Sequence, residues 1–247
     1  MVIDPSGILT KEDMEKERTP DELSLWWEKK NREFANSKEG HHYALLKKEL
    51  TKKFLEEILP LSLLANILYA GRCDIICIPN LGNDNFDAII RNNSCSPPIE
   101  LKIEFTLAID GQDDHLRMKH LVEHGHVSLT GPLTYTGTEK TGHKIVVENE
   151  AVSHHDLRGI NFALIKSRAE QKCKPKNYGK NHVLVITIDD HIAPRYDNQK
   201  DLEALNEFMK SNVINLPLDF GELYVLGLSG KTFLAFKLVT SGGHCPP

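Results

Sequence analysis

Hydrophobic and polar positions alternate most regularly between residues 86 and 105. Over 99–105 the odd positions are Ile99, Leu101, Ile103 and Phe105, and the even ones are Glu100, Lys102 and Glu104. Successive side chains of a strand point to opposite faces, so this pattern predicts a strand with one apolar and one charged face. Phe86, Ala88 and Ile90 repeat the pattern one strand earlier, with Asp87 and Ile89 on the other side. An antiparallel hairpin that keeps both apolar faces in one core must pair odd with even positions, because a one-residue slip buries the charges. That parity is expected to bring Asp87, Glu100 and Lys102 onto one face, within about 5–8 Å of one another.

The remaining pattern predicts helices before this hairpin and a mixture after it. Thr19-Pro20-Asp21-Glu22 reads as a helix start, followed by an apolar stripe of Leu23, Trp26, Trp27 and Phe34 that is expected to pack on the body of the fold. Tyr43, Leu46, Leu50, Phe54 and Ile58 fall near helical spacing, predicting one long amphipathic helix from Ser37 to Leu59 that Pro60 ends or kinks. Residues 73–78 read as a buried strand. After Phe105 the pattern predicts a helix over 112–124, a Gly- and Thr-rich hairpin within 127–147, a helix from Ser153 to Lys174 and a buried strand over 182–189. A helix over 201–209 and a hairpin of 222–228 with 232–239 follow. This order predicts an α/β sandwich with a central mixed sheet flanked by helices. Residues 1–37 are expected to be a charged extension with a short helix, 38–240 a single α/β domain with an insertion at about 106–152, and 241–247 a disordered tail.

Composition narrows the picture in three ways. The 247 residues, 40% of them hydrophobic, suffice for one sizeable core. A net charge of −5 argues against a strongly basic nucleic-acid binder but leaves room for a local basic groove. The five cysteines form no CxxC pair, and the N-terminus lacks the basic and apolar runs of a signal peptide. The apolar tract 58–70 is too short to span a bilayer. A cytoplasmic protein without a membrane partner is expected.

Helix, three strands carrying Asp87 and then Glu100-Leu101-Lys102, helix 153–174 and strand 182–189 together resemble the core of the PD-(D/E)xK nuclease superfamily, the restriction-endonuclease-like fold. The resemblance covers roughly 38–105 and 153–190. It departs from the family pattern in having Phe86 before the Asp and an insertion after the third strand. It implies a three-layer core and hydrolysis of phosphodiester bonds, in DNA rather than RNA, with Mg²⁺ (or Mn²⁺) held by Asp87 and Glu100. Lys102 would orient or deprotonate the attacking water. Many members add an acidic residue from the first helix, for which Glu49 is the first choice and Glu39 the second. The basic run 166–180 would border the cleft, with Lys166, Arg168 and Lys172 gripping phosphates. A homodimer is compatible with this reading.

Two other readings stay open. A catalytically inactive binding or regulatory protein on the same fold suits the acidic balance and the insertion. A zinc-dependent hydrolase is suggested by His120, His124 and His126, whose first two imidazoles stand at i, i+4 on the expected helix, although no HExxH motif is present. His154-His155-Asp156 is a second cluster.

Overall fold

The computed structural model describes residues 7–128, 130–138, 142–148, 150–173, 178–191 and 199–238. Its helices are α1 (Lys11–Met14), α2 (Pro20–Asn36), α3 (Lys38–Leu45), α4 (Leu50–Lys53), α5 (Leu59–Tyr69), α6 (Gly111–His124), α7 (His154–Lys172) and α8 (Gln199–Asn212). A π-helical turn, Phe54–Ile58, joins α4 to α5. Strands β1 (Ile75–Pro79), β2 (Ala88–Asn92), β3 (Ile99–Leu107), β6 (Gly179–Ile188), β7 (Phe220–Gly227) and β8 (Phe233–Lys237) form one six-stranded sheet in the order β1-β2-β3-β6-β7-β8. β4 (Leu133–Thr138) and β5 (Gly142–Val147) form a separate hairpin. Neighbours β3, β6 and β7 run parallel, and the other pairs of the large sheet are antiparallel.

The alternation along β3 and β6 divides the interior into two cores. Ile103, Phe105, Val183 and Val185 face a cluster that contains Leu23, Phe34, Phe54, Ile58 and Leu61 from α2, the π turn and α5. Leu184, Ile186 and Ile188 face a second cluster with Ile165 and Ala169 of α7 and Leu205 and Met209 of α8. Helices thus cover both faces of a mixed sheet, the expected three-layer α/β arrangement. Among the described residues no helix is long and apolar enough to cross a membrane.

Residues 7–37 contribute to this core through Leu9, Met14, Leu23 and Phe34. Thr19 and Glu22 form a capping box at the start of α2. Trp26 and Trp27 lie with their ring centroids 5.8 and 5.9 Å from that of Phe54, so the paired tryptophans pack inward. Arg18 adds a bridge to Cys77 at the edge of β1.

The long helix expected over 37–59 is broken twice. Lys47 and Glu49 take positive φ angles of 47° and 49°, which ends α3 and restarts the chain as α4. Pro60 then removes a backbone donor and its ring crowds the carbonyl four residues earlier, a conflict that the widened π turn immediately before it relieves. The inserted segment holds α6, closed by Gly125 at φ 76°, and the β4–β5 hairpin. The tail 241–247 and residues Lys174 and Lys176 of the basic run lie outside the described residues.

Candidate functional site

The β2–β3 hairpin has the expected parity but a different offset. Arg91 opposes Glu100, Ile89 opposes Lys102 and Ala88 opposes Ile103. Asp87 sits just before β2. Its N–H donates to the Ile103 carbonyl at 2.7 Å, and its Oδ2 accepts the Phe105 N–H at 2.7 Å. Asp87 is therefore anchored beside residues 103–105. Glu100 opposes a residue four positions away from Asp87, about 13 Å along the strand. Its carboxylate instead accepts from Arg91 Nε at 2.8 Å and is 42% exposed. Lys102 Nζ lies 4.9 Å from the centroid of the Phe86 ring. Asp87, Glu100 and Lys102 consequently do not form the compact trio that the alternation suggested. Glu49 is exposed at the break between α3 and α4, and Glu39 is exposed on α3.

Another set of groups gathers around Asp87. β2 stops at Ala88 while β3 continues to Leu107, which leaves a notch on that edge of β3. The Asp87 carboxylate occupies the notch by accepting the Phe105 N–H. Glu104, 7% exposed, lies on the α7 side of β3. Lys172 at the end of α7 is hydrogen-bonded through Nζ to Glu104 Oε1, and Tyr178 Oη donates to the same oxygen at 3.4 Å. From the other layer the π turn contributes Glu57, whose Oε2 accepts from Lys53 Nζ at 3.3 Å.

Asp87 and Glu57 each lie near another carboxylate whose charge raises their proton affinity. Burial raises Asp87 to about 6, and the charge of Glu104 adds to the effect against the Phe105 N–H, Lys172 and Lys53. Burial raises Glu57 to about 7, with Asp87 reinforcing and Lys53 opposing. Burial and Glu104 raise Tyr178 well above the ordinary phenol range, so it remains a donor at neutral pH. His182, buried on β6 directly across from Lys102, is lowered by burial and then by Lys102. Crowded anionic groups with raised proton affinity are a setting in which a bound cation relieves repulsion.

The Glu57 shift carries a stability consequence with a definite sign. A carboxyl whose folded pKa lies above its unfolded value costs nothing below the unfolded pKa, destabilises progressively between the two values, and shows its full cost above the folded one. A rise from 4.5 to about 7 corresponds to a loss on the order of 3 kcal/mol by pH 8. Glu57→Gln is expected to be more stable than the wild type in metal-free urea unfolding at pH 8 and equal to it at pH 4. A variant less stable at pH 8 would contradict this environment for Glu57.

The other residues singled out by sequence have different positions. Arg168 donates to the Leu107 carbonyl at 3.1 Å and the Ile109 carbonyl at 2.7 Å, tying α7 to the end of β3. Lys166 is half-exposed, 3.9 Å from Glu170. Of Lys166, Arg168 and Lys172, only Lys172 stands at the carboxylate cluster. The His120 ring centroid lies 4.3 Å from that of His124 and 6.0 Å from that of His126. His154 Nε2 is 2.9 Å from Asp201, which also accepts from Arg158 at 3.0 Å, so this cluster links α7 to α8.

Among the described residues no group of three or more His, Cys, Asp or Glu side chains is arranged to hold a metal ion unaided. Mg²⁺ asks for less. One or two carboxylates suffice when water and substrate phosphate complete its shell. Asp87, whose proton affinity is raised, and Glu104, which is deeply buried, are hard oxygen donors that fit that requirement.

Glu104, Glu57 and Tyr178 were not reached from the sequence. The signal for Glu104 lay in the loop between the strands. Centring the hairpin on residues 93–98, which end in Pro97-Pro98, pairs Asn92 with Ile99 and carries the register to Ile103 beside Asp87. Glu57 lies in the π turn, which the helical spacing did not anticipate. No family model matches the chain, and no curated protein or solved structure matches it significantly.

Proposed function

We propose that the chain is a Mg²⁺-dependent phosphodiester hydrolase acting on DNA, on a restriction-endonuclease-like core, with its centre at Asp87, Glu104, Lys172 and Glu57. The observation that carries this reading is the meeting of Glu57, Asp87 and Glu104 with Lys172 at the notch where β2 ends. The helix–three strands–helix–strand order around that notch supports it. Asp87 and Glu104 would hold Mg²⁺ (Mn²⁺ equally), which supplies charge stabilisation at the phosphoryl oxygen and a more acidic water. Lys172 Nζ, brought by α7 rather than by the strand, places a positive charge where a scissile phosphate would bear its negative one. Tyr178 holds Glu104 in orientation. Glu57, raised to about 7, is matched to accepting and returning a proton near neutral pH. Lys102, opposite Ile89 on β3 and against the Phe86 ring, is a candidate phosphate contact, while Glu100 pairs with Arg91.

Supercoiled and linear DNA incubated with the protein are expected to be cut in Mg²⁺ or Mn²⁺ and to survive in EDTA. Glu100→Gln is expected to cleave at the wild-type rate, because its carboxylate belongs to a surface ion pair. Loss of cleavage in this variant would return the metal site to Glu100.

A second reading is favoured by one observation. Glu104 already accepts from both Lys172 and Tyr178, an arrangement that suits a non-catalytic DNA-binding or regulatory protein on the same core. Mg²⁺ binding without cleavage of any DNA would select it.

A further inference from the structure

A cavity of ≈ 480 Å³ lies under α6, at the ends of β3, β6 and β7, where Leu107, Asp189 and Leu228 meet it. These three strands are parallel neighbours, and ligands of open α/β sheets bind outside the carboxyl ends of such strands. Its volume falls in the range of small-molecule sites. The π turn and α5 give one wall through Leu55 and Leu59, and α7 gives the facing wall through Leu157 and Leu164. Ile160, 55% exposed, is also on the α7 wall.

Two features show what this apolar space would take. Asn161 lines the cavity from α7, is only 8% exposed, and its side chain makes no hydrogen bond to any described residue. Its amide lines the space without a partner among the described residues, and a ligand with a polar group opposite it would find a donor and an acceptor there. The charged lining is also unbalanced. Glu56, Asp110, Asp113, Asp114 and Asp189 face Lys47 and Arg117. Arg117 is engaged by Asp113, and Lys47 by Asp114 and Glu56. Asp110 caps α6, while Asp189 accepts the His191 N–H at 3.0 Å. Neither of these two has a cationic partner among the described residues. Both are exposed, so water solvates them, but they would repel an anionic ligand and attract a cationic one.

We propose that this cavity is a binding site for a small organic amine, an ammonium group carried on an apolar body. The body would lie between Leu55 and Leu59 on one side and Leu157 and Leu164 on the other. The ammonium would reach Asp189, and Asn161 would hydrogen-bond to the polar end. The site stands apart from the carboxylate cluster: Glu56 faces the cavity, whereas Glu57 faces Asp87. The proposal does not depend on cleavage.

The test is calorimetric titration of the full chain with three matched probes: 4-phenylbutylamine, 4-phenylbutanol and 4-phenylbutyrate. The amine is expected to bind at one site per chain, with the alcohol weaker and the carboxylate without measurable heat. Asp189→Asn and Asn161→Leu are each expected to weaken the amine by about tenfold. Leu164→Trp, which fills the cavity, is expected to abolish binding while the chain keeps its circular dichroism. Equal binding of all three probes overturns the proposal, as does amine binding unaffected by Asp189→Asn and Asn161→Leu, or no binding of the amine.

Discussion

Asp87→Asn is expected to lower Mg²⁺-supported cleavage on the order of 10²- to 10³-fold while leaving the protein folded. The substitution keeps an oxygen able to accept the Phe105 N–H, so the anchor at the notch survives. What it removes is the charge. That charge is held in a buried position beside Glu104, where proton affinity is raised to about 6. Replacing it with an amide relieves repulsion in the apo protein and removes a hard anionic donor. The variant should therefore be at least as stable as the wild type in metal-free buffer at pH 8, yet lose the stabilisation that Mg²⁺ confers. Cleavage and thermal unfolding with and without Mg²⁺ check both halves. Unchanged cleavage would remove Asp87 from the centre.

Lys172→Met is expected to damage both fold and activity, and the two can be separated. Lys172 and Glu104 form an ion pair with side chains 17% and 9% exposed. Removing the cation leaves Glu104 buried with, among the described residues, the Tyr178 hydroxyl as its remaining hydrogen-bond partner, and breaking a buried pair from one side costs about 3–5 kcal/mol. Adding Glu104→Gln to Lys172→Met is expected to recover most of that stability, because the uncompensated charge disappears. Cleavage should not return, because both the ammonium and the metal-binding carboxylate are then gone. Urea unfolding of the two single variants and the double variant measures the coupling. Independent, additive effects would mean that the two side chains do not act as a pair.

Much of the fold was legible because its signals are local. Thr19-Pro20-Asp21-Glu22 started α2, Ser153 capped α7 and Gly125 closed α6. The alternation over 99–105 located β3 and its faces. The site was less legible because it depends on offset rather than period. Parity fixed that odd positions face even ones, but could not distinguish Glu100 from Glu104. The hairpin loop made that choice. Glu49 looked suitable only on an unbroken helix. The positive φ angles at Lys47 and Glu49 break that helix, and Glu57 in the π turn is the carboxylate that the charge of Asp87 reaches. Lys172 was within reach because α7 was placed well, whereas the same helix directs Arg168 to the carbonyls at the end of β3.

The centre of the account is that Glu104, rather than Glu100, completes the Asp87 site. Cleavage of supercoiled plasmid in Mg²⁺ by the wild type, Glu104→Gln and Glu100→Gln, with folding verified by circular dichroism, tests this directly. The account predicts rapid nicking by the wild type and Glu100→Gln and none by Glu104→Gln. Cleavage by Glu104→Gln at the wild-type rate would contradict it.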